Sequence, residues 1–177
     1  YVGELGWELH TSTEYGYRLW DRLWEAGREY DAVPMGDGAL NTMRLEKGYG
    51  LYGADLTSEY DPYEAGLGFA VDPETAFIGR EALDGAADPD RRLAALTLDE
   101  GNRVPTAGVP FFDGDDRVGY ATSSDYGYSV GECILYGYLP AEYDPGTGLT
   151  VQYENEQYDA TVREDPLFDP ERERLLR

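Results

Sequence analysis

Apolar positions along this chain recur first with a period of two, then at helical spacing, and again with a period of two through most of the second half. Over residues 1–9, Tyr1, Leu5, Trp7 and Leu9 fall on one side of an extended backbone and Glu4, Glu8 and His10 on the other, which predicts a strand with Glu4 on its polar face. Gly3 and Gly6 flank Glu4 and, lacking a Cβ, let a flat ligand or another backbone come close. From Thr11 the period lengthens. Tyr17, Trp20, Leu23 and Trp24 share a helical face, Thr11 and Glu14 fit a capping box, and Gly27 supplies a left-handed stop. This helix is expected to pack its aromatic stripe into the core, against the strand before it.

A second helix is expected from Asp37 to Lys47, stopped by Gly48. Arg44 and Glu46 lie on different faces of it, so one of them should point inward, and an arginine placed so is expected to pair with a local carboxylate. Glycine and tyrosine crowd residues 48–62, a connection of tight turns in which Asp55 is suited to an Asx-turn or a cap. Residues 66–71 read as a short buried strand and 77–83 as a turn into one helical turn. The polar, aperiodic stretch 84–92 marks a domain boundary.

Beyond it, residues 93–98, 109–112, 117–122, 132–139, 149–153 and 157–163 all read as strands, separated by Gly-Asp and Pro-Gly turns, which describes a small antiparallel barrel or sandwich. The longest irregular piece, 123–131, carries Tyr126, Tyr128 and Ser129 and serves as a packing plug or a ligand lid, the plug being the simpler reading. The tail after Pro166 is expected to fray. The fold class is α+β, with a mixed part over 1–84, a β-barrel over 91–166 and a tail over 167–177.

Charge narrows the function classes. With 36 acidic against 14 basic residues, the formal charge is -22, so the surface repels phosphates and a nucleic-acid partner is excluded. Lys47 is the only lysine and the acids are dispersed, a composition suited to a high-salt cytoplasm, where carboxylates keep the surface hydrated and salt screens their repulsion. Aromatic content of 14% with dense apolar periodicity argues for a packed core in spite of the charge. No apolar run is long enough to span a bilayer and no signal peptide is visible, so a cytoplasmic location with no membrane partner is expected. Cys133 sits among apolar residues as a structural thiol. CxxC, HExxH, Walker and nucleophile-elbow motifs are absent, and the single histidine, His10, makes neither a metal site nor a triad. Spacing alone assigns no catalytic residue.

Motif order carries the reading further. YVGELGWEL from Tyr1 is followed by TMRLEKG from Thr42, LYGADL from Leu51, PYEAGL from Pro62, FIGREAL from Phe77, VGYATS from Val118, GYLP from Gly137 and DPL from Asp165. Together, over nearly the whole chain, these resemble the glycine cleavage T-protein (aminomethyltransferase) family. Residues 77–83 and 126–129 are similar to the C-terminal folate domains of dimethylglycine and sarcosine dehydrogenases.

The resemblance implies three subdomains around a central tetrahydrofolate site, with residues 1–84 as the last part of the folate-binding region and 91–166 as the C-terminal barrel. It implies transfer of a one-carbon unit from a small amine-derived donor to tetrahydrofolate, with the upstream half of the same protein as a partner. FAD enters only if an upstream oxidoreductase domain exists. Glu4 matches the family's pterin-holding carboxylate, and a carboxylate can accept the pterin's amino and ring N–H groups together. Arg44 matches the second arginine of the family's helix motif, and Tyr126 and Tyr128 are rim contacts. The family's catalytic aspartate belongs to its N-terminal half, so these 177 residues alone are expected to be inactive. One departure stands out: the family reads A-R-D where this chain has Ala39, Leu40 and Asn41. The missing arginine supports the alternative of a non-catalytic folate-binding or interaction module.

Overall fold

The computed structural model describes residues 1–99 and 103–176. Its centre is an antiparallel barrel of β1 (Arg91–Leu98), β2 (Pro110–Asp113), β3 (Asp116–Gly127), β4 (Glu132–Pro140), β5 (Gly148–Tyr153) and β6 (Glu156–Arg163). These close in the order β1-β4-β3-β2-β5-β6, and every segment that the alternation marked as a strand beyond residue 91 is one. Closure removes the free edges that short strands would otherwise expose. The period of two sorts the side chains. Ala94, Leu96 and Leu98 of β1 join Phe111, Cys133, Leu135, Leu139, Val151 and Val162 in the barrel interior. Their neighbours Ala95, Ile134 and Tyr136 face outward and would be wet but for Leu45, which packs on them. Hence β1 and β4 are buried on both faces, whereas β5 alternates.

Leu45 belongs to α2 (Asp37–Glu46), which lies against β3 and β4. Its end is a Schellman motif: Gly48 N–H bonds Leu45 O, Tyr49 N–H bonds Arg44 O at 2.9 Å, and Gly48 takes φ +71. Both Arg44 and Glu46 are buried, at 1% and 2% exposure, where one inward residue was expected. Helix faces differ, but here more than one of them is covered, by the barrel wall and by the C-terminal segment, whose Phe168 N–H donates to Glu46 O at 2.9 Å. That segment is therefore docked rather than frayed, and it ends in the short α3 (Glu173–Leu176).

Three other expectations are corrected. Residues 1–10 form no strand: Gly3 turns the chain at φ +70, and no described segment offers it a ladder. Alternation yields a strand only where an edge supplies hydrogen bonds. Residues 66–71 form a 3-10 turn at Gly68–Ala70 that leaves Phe69 exposed. The tyrosine segment 123–131 is mostly strand, since β3 runs on to Gly127 opposite β4 and only the hairpin turn is irregular.

α1 (Gly16–Gly27) forms where expected, flanked by 3-10 turns at Thr13–Tyr15 and Arg28–Tyr30. The expected Thr11–Glu14 capping box does not form: Ser12 precedes the first 3-10 turn, Tyr15 precedes α1, and the Ser12 hydroxyl holds the Glu14 carboxyl below its usual range. The left-handed residue is Asp31 at φ 54, not Gly27. The aromatic stripe is not core: no residue of α1 is buried, Tyr17 is 88% exposed, and Trp20 and Trp24 stack on each other at 6.2 Å. No described helix is long and apolar enough to cross a membrane.

Candidate functional site

The end of α2 and the glycine-rich connection after it organise the polar residues of the molecule. Arg44 is the hub. Its Nε and Nη2 donate to Asn41 Oδ1, at 3.0 and 2.8 Å, and Nη2 also reaches Ser123 Oγ at 2.8 Å. Nη1 donates to Tyr49 O at 3.1 Å and to Asp55 Oδ2 at 2.5 Å. Asp55, fully buried, takes Leu51 N–H on the same oxygen at 2.8 Å and the Thr122 hydroxyl on the other, while its carbonyl accepts Tyr138 Oη–H at 2.9 Å. The arginine's local carboxylate is thus Asp55, a residue whose turn role was legible but whose pairing was not. The network ties α2, the loop and two barrel strands into one unit.

Onto this unit the N-terminal motif is pinned. Tyr1 Oη donates to Gly50 O, and the Tyr1 ring lies 5.6 Å from that of Tyr49. Gly3 is buried with its Cα on the stem of Lys47; a Cβ there would lie 2.3 Å from Lys47 Cε. Only glycine fits both that approach and the positive φ. Glu4 follows immediately, its side chain 40% exposed, with Arg174 Nη1 3.3 Å from one oxygen. Beside the pinned turn is a cavity of about 440 Å³ lined by Tyr1, Lys47, Tyr49, Leu67, Phe69 and Asp165, among others.

Asp165 was legible only as part of the DPL motif. The residue as a whole is exposed, yet its carboxylate end is turned onto Gly48, where a Cβ would lie 2.5 Å from both oxygens, and it accepts the Tyr136 hydroxyl. Desolvation raises the Asp165 pKa, against the Tyr136 hydrogen bond, which lowers it. Burial and the Asp165 charge beside it push the Tyr136 phenol well above its usual value. A carboxyl with a raised native pKa binds its proton more tightly folded than unfolded, so stability is lost as pH rises from the ordinary aspartate value through the native one. Asp165→Asn is therefore expected to flatten the pH dependence of unfolding in that window; an unchanged slope would show that the carboxylate is solvated.

Tyr126 and Tyr128 sit on another part of α2's surroundings. Tyr126 closes the β3–β4 hairpin, its hydroxyl donating to Gly131 O at 3.0 Å, and meets Tyr128 edge-on at 5.2 Å. Tyr128 is 80% exposed and lines a groove with Ala39, Thr42 and Met43. Asn41, in the departed A-R-D position, links this side to the hub by donating to Asp125 at 2.9 Å. Leu40 takes no part in the network. Glu4 and Arg44 thus converge on the last turn of α2 and the loop after it, while the tyrosines flank its earlier turns. Cys133 is buried and its thiol is pushed up to about 12 by desolvation, then by Asp125, which makes it a poor nucleophile.

Residues 1–75 match the family described as GCVT N-terminal domain, and residues 91–169 match that described as glycine cleavage T-protein C-terminal barrel domain. The chain is 38% identical over 174 residues to an aminomethyltransferase of Halothermothrix orenii, covering 95% of this chain and 48% of that one. It is 33% identical over 182 residues to the mitochondrial dimethylglycine dehydrogenase of Rattus norvegicus, covering 99% of this chain and 21% of that one. The crystal structure of glycine cleavage system aminomethyltransferase T from Bartonella henselae superposes with a TM-score of 0.80 at 26% identity, over 88% of this chain and 44% of that one. The chain thus spans about half the length of the aminomethyltransferases it matches. A barrel of this order, a helix ending in the MRLEKG turn, and a YVGE motif folded onto that turn are found in one chain because it belongs to the glycine cleavage T-protein family.

Proposed function

We propose that this chain is part of a tetrahydrofolate-dependent one-carbon transferase acting on an amine-derived donor, and that it binds and orients the folate. The observation that carries this reading is the setting of Glu4: a part-exposed carboxylate that follows a turn only glycine can make, in a motif whose Tyr1 lines the adjacent cavity. The donor set fits the group. A pterin presents an amino group and a neighbouring ring N–H, and Glu4 offers two acceptor oxygens, of which only Oε1 meets a protein donor, Arg174, among the described residues.

Tetrahydrofolate supplies the nitrogens that accept the one-carbon unit. This chain's part is to fix the ring. Glu4 receives its N–H edge, Tyr1 and Tyr49 supply aromatic lining to the neighbouring cavity, and Arg44 acts from behind by holding the Tyr49–Asp55 loop in one geometry. Tyr128 serves as a rim contact reached from the neighbouring groove. No residue of this chain is assigned the proton transfer, and FAD enters only if an upstream oxidoreductase domain exists. The alternative of a non-catalytic module rests on Leu40 in place of arginine.

Calorimetric titration of the full-length protein with tetrahydrofolate in high salt tests the proposal. Saturable binding is expected, weakened roughly tenfold or more by Glu4→Gln, because a hydrogen bond to a charged acceptor contributes about 1.5–3 kcal/mol. Absence of saturable binding, or equal affinity in the variant, would overturn it.

A further inference from the structure

We propose that Arg174 is a positioning residue for Glu4, held in place by Asp169; this rests on the reading of Glu4 as the folate contact. Asp169 ties together two separate supports of the N-terminal motif. Its Oδ2 accepts Lys47 Nζ at 3.0 Å, and its main-chain carbonyl accepts the same ammonium at 2.8 Å. The Lys47 side chain is 2% exposed, and its stem forms the floor under Gly3. The same Asp169 carboxylate takes the backbone N–H groups of Glu173 and Arg174, at 3.0 and 3.3 Å, which sets the turn that carries the arginine. Lys47 and these N–H groups hold the Asp169 carboxyl below its usual range, so it stays charged. The Arg174 guanidinium then lies 5.0 Å from the Phe168 ring and sends Nη1 to Glu4 Oε1.

Lys47 thus fixes the backbone of the motif from below, and Arg174 fixes its carboxylate from the side. The contact uses one N–H and one oxygen, so lone pairs on both oxygens stay open to a ligand edge. A glutamate with free rotors would lose that freedom on binding; one already held loses less. The pair is exposed on both sides, 54% for Arg174 and 40% for Glu4, so it adds little to folding. Its effect should be read in binding instead.

A double-mutant cycle on the full-length protein, with tetrahydrofolate as the probe and thermal unfolding measured beside it, tests this. Arg174→Gln is expected to weaken binding about three- to tenfold, in the lower part of the range neighbouring groups show in such cycles, with Tm unchanged. In the Glu4→Gln background the same substitution should cost nothing, because the group it orients is altered. An equal loss in both backgrounds overturns the proposal, since Arg174 would then act elsewhere. So does wild-type affinity in Arg174→Gln when Glu4→Gln is impaired, an outcome that leaves the role of Glu4 standing. Wild-type affinity in Glu4→Gln instead removes the reading on which the proposal rests.

Discussion

Asp55→Ala is expected to lower the stability of the chain by about 3–5 kcal/mol, the cost of leaving one member of a buried ion pair without its partner. Arg44 is 1% exposed and Asp55 fully buried, so no solvent can replace the lost carboxylate. The removed side chain also takes the acceptor from the Leu51 N–H, whereas the Thr122 hydroxyl keeps the Tyr136 carbonyl at 3.1 Å. The loop that carries Tyr49 should loosen at the same time, because Arg44 Nη1 is shared between Tyr49 O and Asp55. Denaturant unfolding measures the first effect. Tetrahydrofolate affinity at a temperature where the variant is still folded measures the second. Replacing Arg44 and Asp55 together by leucine should recover much of the loss, since the desolvation of both charges is then avoided. A loss below about 1 kcal/mol in Asp55→Ala would mean that water reaches the pair.

Phe111→Ala is expected to cost a similar amount, about 3–5 kcal/mol, for a different reason. Phe111 is fully buried in β2, between β3 and β5, and its ring fills the space left by two glycines. A Cβ on Gly137 would lie 2.6 Å from Phe111 Cε2, and one on Gly119 would lie 3.4 Å from Cδ2. No neighbouring side chain stands at those positions to collapse into the cavity, so relaxation should recover little. Phe111→Leu, which retains most of the volume, should lose less. Comparable losses for the two variants would show that the ring's shape is not what the site requires.

The two predictions mark where local pattern was and was not enough. The barrel was legible because each strand has its own alternation, and turns of glycine, proline and aspartate punctuate them; none of this depends on a distant partner. The end of α2 was legible for the same reason, since Gly48 stops a helix by its own backbone freedom. The N-terminal segment and α1 have patterns just as clear, yet Trp7 is 79% exposed and the helix stripe is uncovered. Periodicity states which face could be buried, not whether anything covers it. The site divides likewise. Glu4 was singled out by motif order, whereas the pairing of Arg44 with Asp55, the docking of the C-terminal segment through Asp169 on Lys47, and the seat of Gly3 on Lys47 join residues 11, 122 and 44 positions apart in the chain.

By itself, then, the sequence determined the barrel's strand positions, the stop of α2, and the family through the order of its short motifs. Tertiary structure alone decided which polar groups meet. It made Arg44 an internal strut, folded the YVGE motif onto the end of α2 as a turn, and brought Asp169 and Arg174 from the far end of the chain to Lys47 and Glu4. The physical reason is that local propensity acts over a few residues, while a buried charge must find its partner wherever the fold places one.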